Sequence, residues 1–333
     1  MKQKFSILIV SLLVMNFSSF AKIWRVNNSA GINANFTQLQ AAIYSTLVGN
    51  GDTIYVEASS AAYDAVADIN KSVVIIGPGY FLSNWTAPVQ YNLSSATFPA
   101  INGTSANNVR IMGLTITNIY VTGTGLSLSR NNITASVYFT TSLTNNTNIT
   151  QNWIGTIYNY YGYASTNLRI ANNIILNGIY MGASDNGLIE YNVFNIGGAS
   201  YLNFNGGAFN FEKNIIANGY LSNSTNVLFK YNICSSSALP TTNGNQNNIN
   251  MANNAVFVDN NYTAYNDQYF TLSANSPAKT AGPGSTAIGA YAGAAPYIAS
   301  GIPPIPTIYD ITIPQSTQTG SSVQIKFSSK SNN

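Results

Sequence analysis

The stretch Leu168-Arg-Ile-Ala-Asn-Asn173-Ile174 returns along this chain, each time with an asparagine in the place of Asn173. Later copies are Gly187-Leu-Ile-Glu-Tyr-Asn192, Phe209-Asn-Phe-Glu-Lys-Asn214, Val227-Leu-Phe-Lys-Tyr-Asn232 and Ile249-Asn-Met-Ala-Asn-Asn254. Earlier copies are Leu126-Ser-Leu-Ser-Arg-Asn131 and Thr147-Asn-Ile-Thr-Gln-Asn152, and Val109-Arg-Ile-Met-Gly-Leu114 keeps the frame with leucine in the asparagine place. From Leu114 to Asn254 the steps are 17, 21, 21, 19, 22, 18 and 22 residues. A near-constant period of this size marks an architecture of stacked units.

Within each copy, the residues five and three before the asparagine are mostly large and apolar, and those two and four before it mostly polar. That alternation predicts a strand with one buried face. About twenty residues leave no room for a helical crossover. The economical solution is a coil whose turns pair in parallel, a parallel β-helix with a column of side chains inside. Asn131, Asn152, Asn173, Asn192, Asn214, Asn232 and Asn254 then stack at one corner, where their amides form a ladder. Asparagine also tolerates the left-handed backbone a sharp corner demands.

A coil has open ends that need covers. Phe36 to Leu47, with apolar residues at Phe36, Leu39, Ala42, Ile43 and Leu47, predicts an amphipathic helix of about three turns at the front. At the back, Ser276-Pro-Ala278 and Pro283-Gly284 lead into Ile288-Gly-Ala-Tyr291. Pro303, Pro304 and Pro306 come next, then two alternating stretches, Ile308 to Ile313 and Val323 to Phe327, that suit a hairpin.

Several of these phrases resemble the right-handed parallel β-helix proteins of the pectin-lyase-like superfamily, most of all secreted ones of Bacteroidetes-type bacteria. The resemblance lies in the helix before Gly51-Asp-Thr-Ile54, the rung Lys71-Ser-Val-Val-Ile-Ile76-Gly77, the phrase from Asn108 to Ile116, and the ending from Ser276 to Tyr291. It spans about residues 30–296 and implies the fold. It implies little about activity, since such folds host lyases, hydrolases, esterases and adhesins. Polygalacturonase-like members carry paired aspartates with Gly-His-Gly and Arg-x-Lys phrases, all lacking here; lyase-like members cluster aspartates around calcium. Here Asp64, Asp68, Asp185, Asp259 and Asp267 are scattered singly, a poor donor set for that ion.

Met1-Lys-Gln-Lys4, the apolar run Phe5 to Met15 and Ser19-Phe-Ala21 predict a cleavable secretory signal over residues 1–21. The expectation is therefore an all-β chain: a right-handed parallel β-helix over 22–296, then a proline-rich linker and strand tail over 297–333. It is expected outside the cytoplasm: extracellular, on the cell surface or in the periplasm. No later stretch is long and apolar enough to span a membrane.

Charged residues make up 7% of the chain against about 25% in ordinary soluble domains. The net charge is only +3, so nucleic acid and anionic membrane gain no support as partners. There is no histidine and one cysteine, which removes Ser-His-Asp and Cys-His nucleophile systems and a structural zinc site. Cys234 falls where other copies carry Ile175, Phe194 and Ile216, so it is read as a buried, inert thiol. No cofactor or metal is read from the sequence, and it leaves the oligomeric state open.

Two outward columns remain. Glu190, Glu212 and Lys230 each lie two residues before their asparagines, so rung stacking places them in one line about 4.8 Å apart. Two carboxyls that close suit a retaining glycosidase, whose pair sits about 5–5.5 Å apart, with Arg169 able to hold an anionic sugar. The plainer reading is a surface Glu-Glu-Lys ladder in which Lys230 relieves repulsion.

The second column is Tyr138, Tyr161, Tyr180, Tyr201 and Tyr220, 12 to 14 residues before successive asparagines and mostly flanked by apolar residues. If the flanks point inward, the tyrosines point outward, and a row of rings binds extended polymers by stacking. The plainer reading is an aromatic stack that stiffens the coil. The expected function is non-catalytic binding of polysaccharide along this strip. A glycoside hydrolase or lyase using Glu190 and Glu212 is the second expectation, and a structural or adhesive spacer the third.

Overall fold

The alternating phrases fold as parallel strands, stacked rung upon rung. The computed structural model describes residues 21–84, 89–141, 144–159, 162–196, 201–222, 224–235, 239–240, 244–251, 256–257, 266–314 and 322–332. The signal segment to Phe20, Tyr160, Tyr161, Asn254 and Asp259 lie outside these. The chain is nearly all β, a parallel β-solenoid. Among the described residues one sheet has ten strands, ordered along the coil from Ile23–Val26 through Val74–Ile76 and Leu168–Ala171 to Val227–Lys230. A second has eleven, from Thr97–Ile101 through Ile174–Tyr180 to Ile249–Asn250. Each repeat phrase is a strand of the first sheet, the corner, and the start of a strand of the second. The inward residues Leu168 and Ile170, Phe209 and Phe211, and Val227 and Phe229 are buried, and so is Cys234. Among the described residues no helix is long and apolar enough to cross a membrane.

The corner asparagines form the expected ladder. The Oδ1 of Asn173 accepts from the backbone N–H of Asn152 at 2.9 Å and from its Nδ2 at 3.0 Å; the Nδ2 of Asn173 donates to the Ile149 carbonyl at 2.8 Å. Asn152, Asn192, Asn214 and Asn232 make the same set. At the front, Asn131 closes on the backbone N–H of Leu114. At the back, the last member among the described residues is Asn248, which the spacing did not pick out: Asn248 Oδ1 accepts from the N–H and Nδ2 of Asn232, and its own Nδ2 donates to the Phe229 carbonyl. The final step is thus 16 residues, because Ile249 pairs with Ile233 in the second sheet instead of opening another copy in the first.

The asparagines are not themselves the left-handed residues. Those sit one position earlier: Arg130, Gln151, Asn172, Tyr191, Lys213, Tyr231 and Asn247 have φ between 53 and 60°, with Gly113 at 72° before Leu114. A left-handed non-glycine residue costs about 1–2 kcal/mol. At each corner that cost is set against bonds that carry rung pairing through the bend, such as Asn172 N–H to the Glu190 carbonyl at 3.2 Å. Freed from left-handed geometry, each ladder asparagine from Asn131 to Asn232 turns its amide inward, where it is fully buried.

The described C-terminal residues lie against the side of the coil. They run lengthwise along the coil toward the front as a strap over the second sheet. The residues just after the ladder asparagines, Trp153, Ile174, Val193, Ile215 and Ile233, point outward yet are buried, packed with Phe270, Ala278, Ile288, Ala290 and Tyr297. The left-handed corner residues hold the strap's carbonyls: Asn172 Nδ2 donates to Ala290 and Ala292, Gln151 Nε2 to Pro296, and Arg130 NH1 to Ile302. The strap's own Gly289 N–H donates to the Lys213 carbonyl. Buried Asp267 accepts from Tyr297 and from the Ser300 N–H, and Tyr297 meets the hydroxyl of Tyr80 on a front rung. Beyond the strap, Thr307–Thr312 and Lys326–Lys330 pair antiparallel, the second strand lying further along the chain than the expected Val323 to Phe327.

The front helix is shorter than expected, Leu39–Tyr44, with Leu39, Ala42 and Ile43 buried. Phe36 is taken by a bridge to Val26, so the helix cannot begin there. Gln38 gives it no side-chain cap, and Lys71 Nζ binds the Ser45 and Val48 carbonyls just beyond its end.

Candidate functional site

The second sheet has an outer face in two halves. The half next to the corner lies under the strap. Register shifts between Ile154 and Thr156, and between Ile116 and Asn118, separate it from a far half that the strap does not cover. Such irregularities bend a strand and re-aim the side chains beyond the bend. In the far half Val137, Phe139, Ile179, Met181 and Leu202 are buried. Their neighbours therefore face outward, as the alternation requires.

The tyrosines do face outward, but not as one line. Register stacks Tyr120, Tyr138, Tyr158 and Tyr180 on successive rungs, and the column continues into Asn203 and then Ser222. Tyr120 and Tyr138 stack with centroids 5.0 Å apart at 16°; Tyr138 meets Tyr158 edge-on at 5.8 Å; Tyr158 meets Tyr180 at 5.4 Å. Tyr158 takes the rung that the spacing assigned to Tyr161. Tyr201 and Tyr220 belong to a parallel column two residues over, which on earlier rungs holds Asn118, Ser136, Thr156 and Gly178. Counting back from the asparagines missed this stagger, because the shifts and loop lengths differ from rung to rung. Gly178 marks the crossover: a Cβ there would come within 2.4 Å of the Tyr201 carbonyl.

The four-ring stack spends much of its aromatic surface on itself and leaves half-buried rings. Tyr201 and Tyr220, 41% and 51% exposed with centroids 6.3 Å apart, are the open rings. Each of these six rungs thus pairs a tyrosine with a small or amide residue beside it, and neither column carries a charge there.

A buried carboxylate that the sequence reading weighed only as a calcium donor fixes the end of this face. Asp185, 1% exposed, accepts from Asn159 Nδ2 at 2.8 and 2.9 Å, from the Ser165 N–H at 2.8 Å and from the Gly182 N–H at 2.6 Å. Asn159 directly follows Tyr158, and its N–H donates to the Tyr180 carbonyl at 2.7 Å. Asp185 therefore staples together the rungs that carry those two tyrosines. Burial pushes its carboxyl up to about 6, against the opposing pull of its hydrogen bonds. The only signal in the sequence is an acidic residue inside an otherwise uncharged turn.

On the first sheet, Glu190, Glu212 and Lys230 do occupy one line of register. The cation between the carboxylates is Lys213, however. Its Nζ lies 3.2 Å from Glu212 and 3.8 Å from Glu190, while Arg169 reaches Glu190 at 3.0 Å. Lys213 is a left-handed corner residue and sits over the Tyr191 ring, a placement that alternation along a strand does not anticipate. Beside this cluster, Leu188, Asn210 and Leu228 line a shallow groove on the outer face of the first sheet.

No family model, no curated protein and no solved structure matches the chain.

Proposed function

We propose that this protein binds extended, uncharged polysaccharide along the far half of the second sheet and does not cleave it. What carries the reading is the staggered outward columns of tyrosines, each ring beside an asparagine, serine, threonine or glycine. Rings offer apolar faces and edges to sugar C–H groups, and the hydroxyls and amides beside them meet sugar hydroxyls. Six successive rungs at about 4.8 Å make a strip about 24 Å long, suited to a polymer. The lack of charge in both columns favours a neutral glycan. A cleavage site at Glu190 and Glu212 has less in its favour, because both carboxylates are already engaged by Arg169 and Lys213. The leader-like first 21 residues and the low charge support a secreted protein, and the phrases around Gly51, Lys71, Asn108 and Ser276 support kinship with the pectin-lyase-like superfamily.

Affinity electrophoresis in gels containing neutral polysaccharides, run beside an assay for released sugar ends, tests the reading. Retardation without release, lost in the Tyr201→Ala/Tyr220→Ala double variant, is expected. Retardation that survives the double variant, or glycan cleavage abolished by Glu212→Gln, refutes it.

A further inference from the structure

The tail after the strap returns to the front of the coil and leaves a cleft there. Its floor is the outward side of an early rung, with Tyr55 and Glu57. Tyr91 and Asn92, Ile32, and Ile308 from the tail complete its lining. The Tyr91 N–H donates to the Ile308 carbonyl at 2.8 Å, so three distant parts of the chain meet to form it. The cleft encloses about 430 Å³, within the range of about 300–1,000 Å³ that holds small ligands.

Its chemistry is specific. Glu57 is the one ionised side chain among the described residues of the lining, and it is already committed: Arg25 bonds one carboxylate oxygen and Asn27 Nδ2 the other, at 2.8 Å. The cleft is thus balanced in charge and has no free cation among the described residues to draw an anion. Tyr91, 57% exposed, Ile32, 48%, and Ile308, 43%, offer apolar surface at its mouth. The Tyr55 hydroxyl, pushed above its usual range chiefly by burial, has no hydrogen-bond partner among the described residues. A hydroxyl that no protein group engages is available to a ligand's own hydroxyls. Aromatic and apolar sides, neutral amides and an unpaired hydroxyl around a charge-balanced floor match a sugar ring without ionised groups.

We propose that this cleft is a second binding site, for a short neutral saccharide of one or two rings, separate from the tyrosine strip. It lies on the early rungs against the tail, whereas the strip lies on the second sheet, so either reading can fail alone.

Saturation-transfer NMR on the full chain with maltose, cellobiose and lactose as probes, and digalacturonate as the anionic control, tests the site. At least one neutral disaccharide is expected to bind and digalacturonate is not. Tyr91→Ala should weaken that binding about tenfold and Tyr55→Phe about threefold. In the Tyr201→Ala/Tyr220→Ala background, which removes the strip's own share, disaccharide binding should remain and Tyr91→Ala should still weaken it about tenfold. Tyr91→Leu, which keeps apolar bulk without the ring, replaces Tyr91→Ala if the latter fails to fold. Binding by none of the neutral probes, binding unchanged by loss of the Tyr91 ring, or binding lost with Tyr201 and Tyr220 each overturns the proposal.

Discussion

The covered and open halves of the second sheet's outer face use the same strands for opposite ends. Beside the corner, the residues after Asn152, Asn173, Asn192, Asn214 and Asn232 form apolar doublets: Trp153-Ile154, Ile174-Ile175, Val193-Phe194, Ile215-Ile216 and Ile233-Cys234. The first of each pair faces outward, the second inward, and both are buried. In the far half the pattern returns to strict alternation, with tyrosine or a small polar residue outside. A doublet records a sheet covered on both faces, and alternation one covered on a single face. The first half is built for cohesion. The second is left wet and aromatic.

The largest expected effect lies beneath both halves. Asn192→Ala strands the Asn173 N–H and takes one partner each from the Ile170 carbonyl and from the side-chain amides of Asn173 and Asn214. At about 1–3 kcal/mol for a buried unsatisfied group, partly relieved by relaxation, a loss of about 4 kcal/mol should appear as a lower urea midpoint. The contrast itself is sharpened next. Ile215→Ala, under the strap, should cost about 3 kcal/mol, while Tyr220→Ala on the open half should stay within about 0.5 kcal/mol and lose glycan retention. Equal costs for the two would erase the distinction between the halves.

A third effect depends on pH. Asp185 holds its proton more tightly folded than unfolded, about 6 against 3.8. Its contribution to stability is therefore fully present below pH 3.8 and lost as pH rises through about 6. Subtracting the urea midpoint of Asp185→Asn from that of the parent isolates this group from Asp267, which shifts in the same direction through burial. The difference should fall steadily between about pH 4 and about pH 6 and then level. A flat difference means the proton is not bound there. The smallest effect belongs to the first sheet: Glu212→Gln removes one partly exposed ion pair and should cost less than about 1 kcal/mol, with retention by neutral glycan unchanged.

Much of the solenoid was legible because its defining contacts repeat about every twenty residues. Asn152 and Asn173 are 21 positions apart, so the period itself carries the register and ladder, and the frame alone placed Cys234 in the core. The tyrosine face was legible only as outward-pointing. Its stagger depends on register shifts of one residue that leave no mark in composition. Lys213 was missed because a left-handed corner swings its side chain between Glu190 and Glu212, where strand alternation puts nothing.

By itself, then, the sequence determined the coil, the buried asparagine column and the outward direction of the tyrosines, since a periodic chain writes its nearest-neighbour contacts once per turn. The strap, the covered half-sheet and the cleft at the front were decided by tertiary structure alone. Their contacts join residues such as Asn172 and Ala290, 118 positions apart. These contacts obey no period, so only the folded chain brings the two ends of such a pair together.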